Sequence, residues 1–188
     1  MSAPAVTVSL AMAFGLSELA LSLRKRSASG AVRADRGSLH VLWIVIVAAW
    51  VLAFCLAATV PAGRFHAGAV LLGSALLLLV AGVALRWWAI TSLGRLFTVD
   101  VAIAIDHRLI DRGPYRLIRH PSYAGALLAL GGLGVALGSL PALAALLLPA
   151  LAAYHYRMSV EEAALLHGLG GAYADYMRRT SRLIPGLY

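Results

Sequence analysis

Charge is the scarcest commodity in this 188-residue chain: Asp, Glu, Lys and Arg together make up 13% of it, against roughly a quarter in ordinary soluble domains. There are eight acidic residues, a single lysine (Lys25) and a single cysteine (Cys55). One cysteine excludes an intramolecular disulfide and any cysteine-based metal cluster, and its place in the run Val41 to Val60 predicts a packed thiol inside a membrane. The low charge and the 61% hydrophobic content exclude a disordered chain and argue against a soluble globule. The length suits one compact unit, so any chemistry has to share the apolar body.

What is abundant is uninterrupted apolar sequence. Val41 to Val60 is twenty residues without a charge and Ala67 to Leu85 is nineteen, each close to the roughly 20 residues a bilayer-spanning helix needs. Pro121 to Tyr154 is uncharged for thirty-four residues, too long for one helix across a hydrocarbon core of about 30 Å. It is expected to fold back at Gly138-Ser-Leu-Pro141, where glycine loosens the helix and proline lacks an amide. Ala3 to Leu23 carries only Glu18, which is expected to face the bundle interior because a carboxylate against lipid is costly. The expected fold is therefore all-α and integral to a membrane, one domain over 1–188, with five spans at about 3–23, 41–60, 67–88, 122–138 and 141–157. The last two form a helical hairpin. Basic residues follow the first apolar stretch instead of preceding it, which disfavours a cleaved signal peptide.

The sixteen basic residues are placed unevenly: fifteen lie in Arg24–Arg36, Arg86–Arg119 and Arg157–Arg182, and only Arg64 lies in the linker between the second and third spans. The positive-inside rule puts those three segments in the cytosol and the N-terminus outside. The basic excess is topological, and no nucleic-acid partner is expected. Trp87 and Trp88 suit an interfacial anchor. The glycines of Gly131-Gly-Leu-Gly-Val-Ala-Leu-Gly138 follow no strand and open no βαβ unit, so they are read as small residues that let helices approach closely.

The back half carries the unusual polar content. Leu93 to Tyr123 reads LGRLFTVDVAIAIDHRLIDRGPYRLIRHPSY, with a turn at Gly113-Pro114 and a helix start at His120-Pro121, where proline is tolerated in the first turn. Such a start points free amides toward an anionic group. Beyond the hairpin, Arg157 and Glu161 are four apart and share a helix face, as do Met158 and Glu162. Taken alone, Arg116, Arg119 and His120 would pass for a headgroup fringe, and Arg157 with Glu161 for a surface ion pair. No His-x3-His pair occurs among the six histidines, so no metal site is expected.

Together, however, His107-Arg-Leu-Ile110, Gly113-Pro-Tyr-Arg116, Arg119-His-Pro-Ser-Tyr123, Arg157-x-x-x-Glu161-Glu162, Gly170-x-x-Tyr173-x-x-Tyr176 and Arg182-Leu-Ile-Pro185 resemble the isoprenylcysteine carboxyl methyltransferase family, in order and at compatible separations over about Leu93 to Pro185. The resemblance implies a membrane enzyme that transfers a methyl group from S-adenosylmethionine, leaving S-adenosylhomocysteine. It assigns His107, Arg108, Leu109, Ile110, Tyr115, His120, Pro121, Ser122, Tyr123 and Glu161 to the cofactor pocket, built from about 93–123 and 154–185. It places Arg157 toward the acceptor carboxylate, with Arg157 and Glu161 as the catalytic pair. Asp100 stands where related proteins present a neutral polar contact. The expected partners are membrane lipid and a lipidic or prenylcysteine-like acceptor.

The residue types suit that chemistry. Joining a sulfonium cation to a carboxylate neutralises both charges, so no base is required and positioning dominates. Arginine can grip a carboxylate with two parallel donors, and Glu161 can balance the cofactor's charge. Phospholipid N-methylation is the alternative, since related membrane methyltransferases share these features, but an amine must lose a proton and would need Glu161, Glu162 or Asp100 as base. A non-enzymatic bundle with headgroup-anchoring arginines is the third reading. The composition, rich in alanine, arginine and leucine, points to a GC-rich bacterial genome, hence an inner membrane with the site facing the cytosol.

Overall fold

The structure is a computed structural model that describes residues 12, 14–21, 32–33, 35, 37–65, 68–97, 102–103 and 109–188. Helix α1 covers 14–21, and the long helices follow as α2 (Ser38–Thr59), α3 (Ala69–Leu93), α4 (Pro121–Ala136), α5 (Leu140–Leu169) and α6 (Gly171–Arg179). Two short 3-10 turns, Gly94–Leu96 and Gly113–Arg116, and a two-residue antiparallel ladder of β1 (Val32–Arg33) with β2 (Ala102–Ile103) complete the described elements. The expectation of an all-helical chain is thus met apart from that ladder.

Helices α2 and α3 are long and apolar enough to cross a membrane. They have no polar outer face: Ile44, Leu77 and Val70 are 68%, 69% and 89% exposed, the pattern of helices whose outer solvent is hydrocarbon. Cys55 belongs to this outer surface, exposed on α2 rather than packed as the sequence suggested. Trp87 and Trp88 are exposed near the end of α3.

The uncharged run breaks where glycine and proline predict. Helix α4 begins at Pro121 and ends at Ala136, Gly138 adopts φ +63°, and α5 starts at Leu140 with Pro141 in its first turn and the Ser139 hydroxyl accepting from the Ala142 amide at 3.3 Å. The turn is pinned to the α2–α3 linker, since the Phe65 amide donates to Gly138 O at 2.9 Å and the Leu140 amide to Gly63 O at 3.1 Å. Linker and hairpin tip therefore lie at one end of the bundle. Apart from Arg64 in that linker, the charged side chains of the site, Arg86, Arg119, Arg157, Glu161, Glu162 and Arg182, gather at the other.

Packing relies on small residues. A Cβ on Gly125 would stand 2.5 Å from Gly82 O, and one on Gly132 2.5 Å from Ala75 O, so α3 and α4 touch backbone to backbone. The buried core adds Ala49, Ala53, Leu79, Ala126, Ala129, Leu130, Leu133, Leu146 and Ala150 from α2 to α5. Helix α5 continues past the core as one 30-residue helix, about 45 Å long, and so carries Arg157, Glu161 and Glu162 beyond the apolar zone.

Candidate active site

The site assembles where the start of α4, the far half of α5 and the C-terminal segment meet. After α6 the chain returns alongside 117–120: the Arg119 amide donates to Ser181 O at 2.8 Å, the His120 amide to Arg182 O at 3.0 Å and the Ser181 amide to Leu117 O at 3.3 Å. This ladder brings Arg182 opposite Arg119 and His120.

Glu162 is the hub. Its Oε1 accepts from Arg119 Nε at 2.9 Å and lies 3.1 Å from His120 Nε2, while Oε2 accepts from both Arg182 Nε, at 2.9 Å, and Arg182 Nη2. Burial works to raise the Glu162 carboxyl, but the hydrogen bonds from His120, Arg182 and Arg119 outweigh it and hold the pKa at about 2. Arg119 also donates to the carbonyls of Met177 and Thr180 at the end of α6. Glu162 therefore ties α4, α5 and the C-terminal segment into one unit.

Glu161 faces the other way. It is 31% exposed, accepts from the Tyr123 hydroxyl at 2.7 Å and lies 3.8 Å from His120 Nδ1. The His120 and Tyr123 rings stack at 5.4 Å with 4° between their planes, and Tyr154 tilts against Tyr123 at 5.1 Å. Tyr115 is buried nearby, and its carbonyl accepts from the Tyr176 hydroxyl at 2.7 Å. Burial raises the Tyr115 and Tyr176 phenols well above the usual range, so both stay neutral donors.

Arg157 and Glu161 share a face of α5, as their spacing predicts, yet each is held by another element. Arg157, 2% exposed, donates through Nη1 to Asp35 Oδ1 at 2.5 Å and to the Ser38 hydroxyl at 2.7 Å. Asp35 in turn accepts from the Ser38 hydroxyl at 2.9 Å and the Leu39 amide at 3.2 Å, which satisfies one free amide in the first turn of α2. Burial opposes the ionisation of Asp35, but the hydrogen bond and charge of Arg157 prevail and its pKa is lowered.

A second, partly buried guanidinium lies alongside. Arg86 donates to both Glu18 oxygens at 2.5 Å and to the Ser122 hydroxyl at 2.8 Å, so Glu18 does face inward and Ser122 is fixed by α3. Phe14, Leu42, Trp43, Ile46 and Leu130 line an apolar cleft of about 70 Å³ on whose wall Arg86, Tyr123, Tyr154 and Arg157 lie.

Among the residues expected from the sequence, His120, Pro121, Ser122, Tyr123, Arg157 and Glu161 come together here, with Tyr115 beside them. Leu109 and Ile110 are partly buried just before the Gly113–Arg116 turn. His107, Arg108 and Asp100 lie outside the described residues. Sequence reasoning missed Asp35, Ser38 and Arg86, because it treated the front half as plain spans. The signal was there: Asp35 is the only acid between Arg24 and Gly37, and Arg86 directly follows an apolar run.

Helices apolar on their outer faces, with a charged cluster closing one end over an apolar cleft, define a membrane-type helical bundle with an end-on site. Residues 75–167 match the family model of the isoprenylcysteine carboxyl methyltransferase (ICMT) family, the family that the motifs resemble. A probable protein-S-isoprenylcysteine O-methyltransferase of Oryza sativa subsp. indica is 31% identical over 112 residues, 58% of this chain and 59% of that one. Protein-S-isoprenylcysteine O-methyltransferase B of Arabidopsis thaliana is likewise 31% identical over 112 residues, 58% and 57% of the two chains. A protein-S-isoprenylcysteine O-methyltransferase of Schizosaccharomyces pombe is 32% identical over 114 residues, 60% of this chain and 48% of that one. The solved structure of the eukaryotic intramembrane Ras methyltransferase ICMT, without a monobody, matches at TM-score 0.60 and 29% identity over 77% of this chain and 52% of that one. The matched stretch thus spans about half to three fifths of these relatives.

Proposed function

We propose that the chain, as one domain over 1–188, is a membrane methyltransferase that moves a methyl group from S-adenosylmethionine to the carboxylate of a lipidic acceptor, a prenylcysteine or a related isoprenoid acid. The observation that carries this reading is that Tyr123, which lies with the Arg157 guanidinium on the wall of an apolar cleft, donates its hydroxyl to the Glu161 carboxylate. The carboxylate suits a cation and the guanidinium an anion, and the cleft's apolar lining, though not its volume of about 70 Å³, matches an apolar tail. The names carried by the plant and yeast relatives, protein-S-isoprenylcysteine O-methyltransferases, support the same acceptor class.

The side chains fit the cofactor in kind: a partly exposed carboxylate beside stacked aromatic rings complements a positive sulfonium. In this reading His107, Arg108, Leu109, Ile110, Tyr115, His120, Pro121, Ser122, Tyr123 and Glu161 hold S-adenosylmethionine, which supplies an electrophilic methyl group. Tyr123 orients Glu161, Glu162 fixes His120, and Arg157 holds the acceptor carboxylate so that one oxygen faces the methyl group. No residue has to take a proton, which agrees with a Glu162 carboxylate fully occupied by Arg119, His120 and Arg182. In the membrane we place five spans, the N-terminus outside and this site at the cytosolic face. A bacterial inner membrane follows from composition alone, since the relatives named are plant and yeast proteins.

The decisive experiment follows radiolabelled methyl transfer from S-adenosylmethionine to an N-acetyl prenylcysteine and to phosphatidylethanolamine, with calorimetric titration of S-adenosylhomocysteine in detergent. Labelled methyl ester is expected. Labelled phospholipid without ester assigns the chain to N-methylation, and absence of cofactor binding rejects an enzyme.

A further inference from the structure

Arg157 already holds a carboxylate, and that carboxylate comes from the chain itself. Asp35 Oδ1 sits 2.5 Å from Arg157 Nη1, the kind of contact an acceptor carboxylate would make with the same guanidinium. The two partners differ in how firmly they are held. Arg157 is 2% exposed in the middle of the 30-residue α5, whereas Asp35 is 17% exposed and precedes α2 rather than belonging to it. Among its other contacts, the Leu39 amide at 3.2 Å and the Ser38 hydroxyl at 2.9 Å are groups that water can satisfy at a helix start.

Resting on the proposed carboxyl methylation, we propose that Asp35 is an internal stand-in for the acceptor carboxylate, displaced from Arg157 when an acidic acceptor binds and returning once the acceptor is esterified. The charge balance gives the cycle its direction. The acceptor oxygen gains the methyl group as its C–S bond to the sulfonium breaks, so a carboxylate and a cation become a neutral ester and a neutral thioether. The anion competes with Asp35 for Arg157, and the ester does not. Asp35 therefore yields Arg157 only to an acceptor that brings a full negative charge, whereas neutral lipids and the finished ester leave the Asp35–Arg157 pair closed. It also spares Arg157 from being a buried, unpaired cation between turnovers, which is costly.

Asp35→Asn tests this, because asparagine keeps one oxygen as acceptor for the Leu39 amide while losing the charge and the second acceptor, the oxygen that Arg157 holds. If Asp35 occupies Arg157 for about nine-tenths of the time, the apparent affinity of the acceptor is diluted about tenfold. The variant is expected to lower the KM for a prenylcysteine acid by about that factor and to leave inhibition by the prenylcysteine methyl ester within about twofold, because the ester does not compete for Arg157. A raised KM would show that Asp35 merely positions Arg157, and an unchanged KM, or acid and ester affinities raised equally, would overturn the proposal too. On the wild-type protein, hydrogen exchange of a peptide covering 35–39 supplies a readout independent of turnover. With S-adenosylhomocysteine present, the prenylcysteine acid should increase exchange at Leu39 while the methyl ester does not, and equal exchange with both overturns the displacement. Failure of methyl transfer to any carboxylate by the wild-type protein would instead remove the underlying function, a result distinct from either of these.

Discussion

The Tyr123 hydroxyl donates to Glu161 at 2.7 Å, joining the first turn of α4 to the far half of α5 across 38 residues of sequence. Its ring lies between His120, stacked at 5.4 Å, and Tyr154, tilted at 5.1 Å. A single side chain thus sets the direction of the Glu161 carboxylate, while its neighbour Glu162 is fully occupied by Arg119, His120 and Arg182. Adjacent glutamates have been given different work by their surroundings: Glu162 ties elements together, and Glu161 keeps capacity for a ligand.

Glu161→Ala should therefore weaken S-adenosylhomocysteine binding while leaving the protein folded in detergent, since Glu161 is 31% exposed and its loss strands no buried cation. A charge-assisted contact is worth about 1.5 to 3 kcal/mol, roughly ten- to hundredfold in affinity. Tyr123→Phe should show a smaller loss in the same direction. Calorimetry on both variants checks it, and unchanged affinity in both removes Glu161 from the pocket.

Glu162 governs stability in acid. Its carboxyl is held at about 2 against an ordinary value of 4.5, so the native state binds fewer protons than the unfolded chain between those values. The stabilisation is fully present above about pH 4.5 and disappears as the pH falls toward 2, amounting to about 3 kcal/mol. Thermal unfolding in detergent should fall in temperature across that window. Glu162→Gln should be less stable at neutral pH and lose much of this dependence, because Arg119 and Arg182 are then left without their carboxylate.

Two glycines of α4 make opposite predictions. A Cβ on Gly125 would meet Gly82 O at 2.5 Å and the Arg86 amide nitrogen at 2.7 Å, whereas one on Gly131 meets nothing within 4 Å. Gly125→Ala should destabilise by about 1 to 3 kcal/mol through overpacking against backbone that cannot yield. Gly131→Ala should be neutral or stabilising by up to about 1 kcal/mol from helix propensity. Melting temperatures of the two variants, measured side by side, test the close α3–α4 contact.

Much of the architecture was legible because its signals are local. Uncharged runs mark α2 and α3, the Gly138–Pro141 break places the hairpin, and Pro121 marks the start of α4. The cost of a carboxylate in lipid correctly turned Glu18 inward. What no local pattern reveals is which distant charges meet. Arg86 and Glu18 are 68 residues apart, and Arg157 and Asp35 are 122 apart, so their pairing depends on helix packing that a single sequence does not specify. The motif resemblance gathered His120, Tyr123, Arg157 and Glu161 for the same site, but it began at Leu93 and so left the contributions of α1 and α2 unseen. Cys55 was misread for a related reason: an apolar run identifies a span without saying which face of it packs.

Arg157→Lys separates acceptor from cofactor. The guanidinium presents several donors in a planar fork, of which Nη1 already serves Asp35 and Ser38, while a lysine ammonium is a compact point charge on a longer flexible stem. The substitution keeps the positive charge that Asp35 requires, so the fold should survive, but it loses the geometry that holds a carboxylate with one oxygen toward the methyl group. Turnover of a prenylcysteine acid should fall by about two orders of magnitude, the scale expected when a reacting group is misplaced by about 1 Å. Affinity for S-adenosylhomocysteine should stay within a few fold, because Glu161 keeps its hydrogen bond from Tyr123. Both quantities are measured on one preparation. Full activity would show that Arg157 does not anchor the acceptor, and a parallel collapse of cofactor affinity would move Arg157 to the cofactor's side of the site.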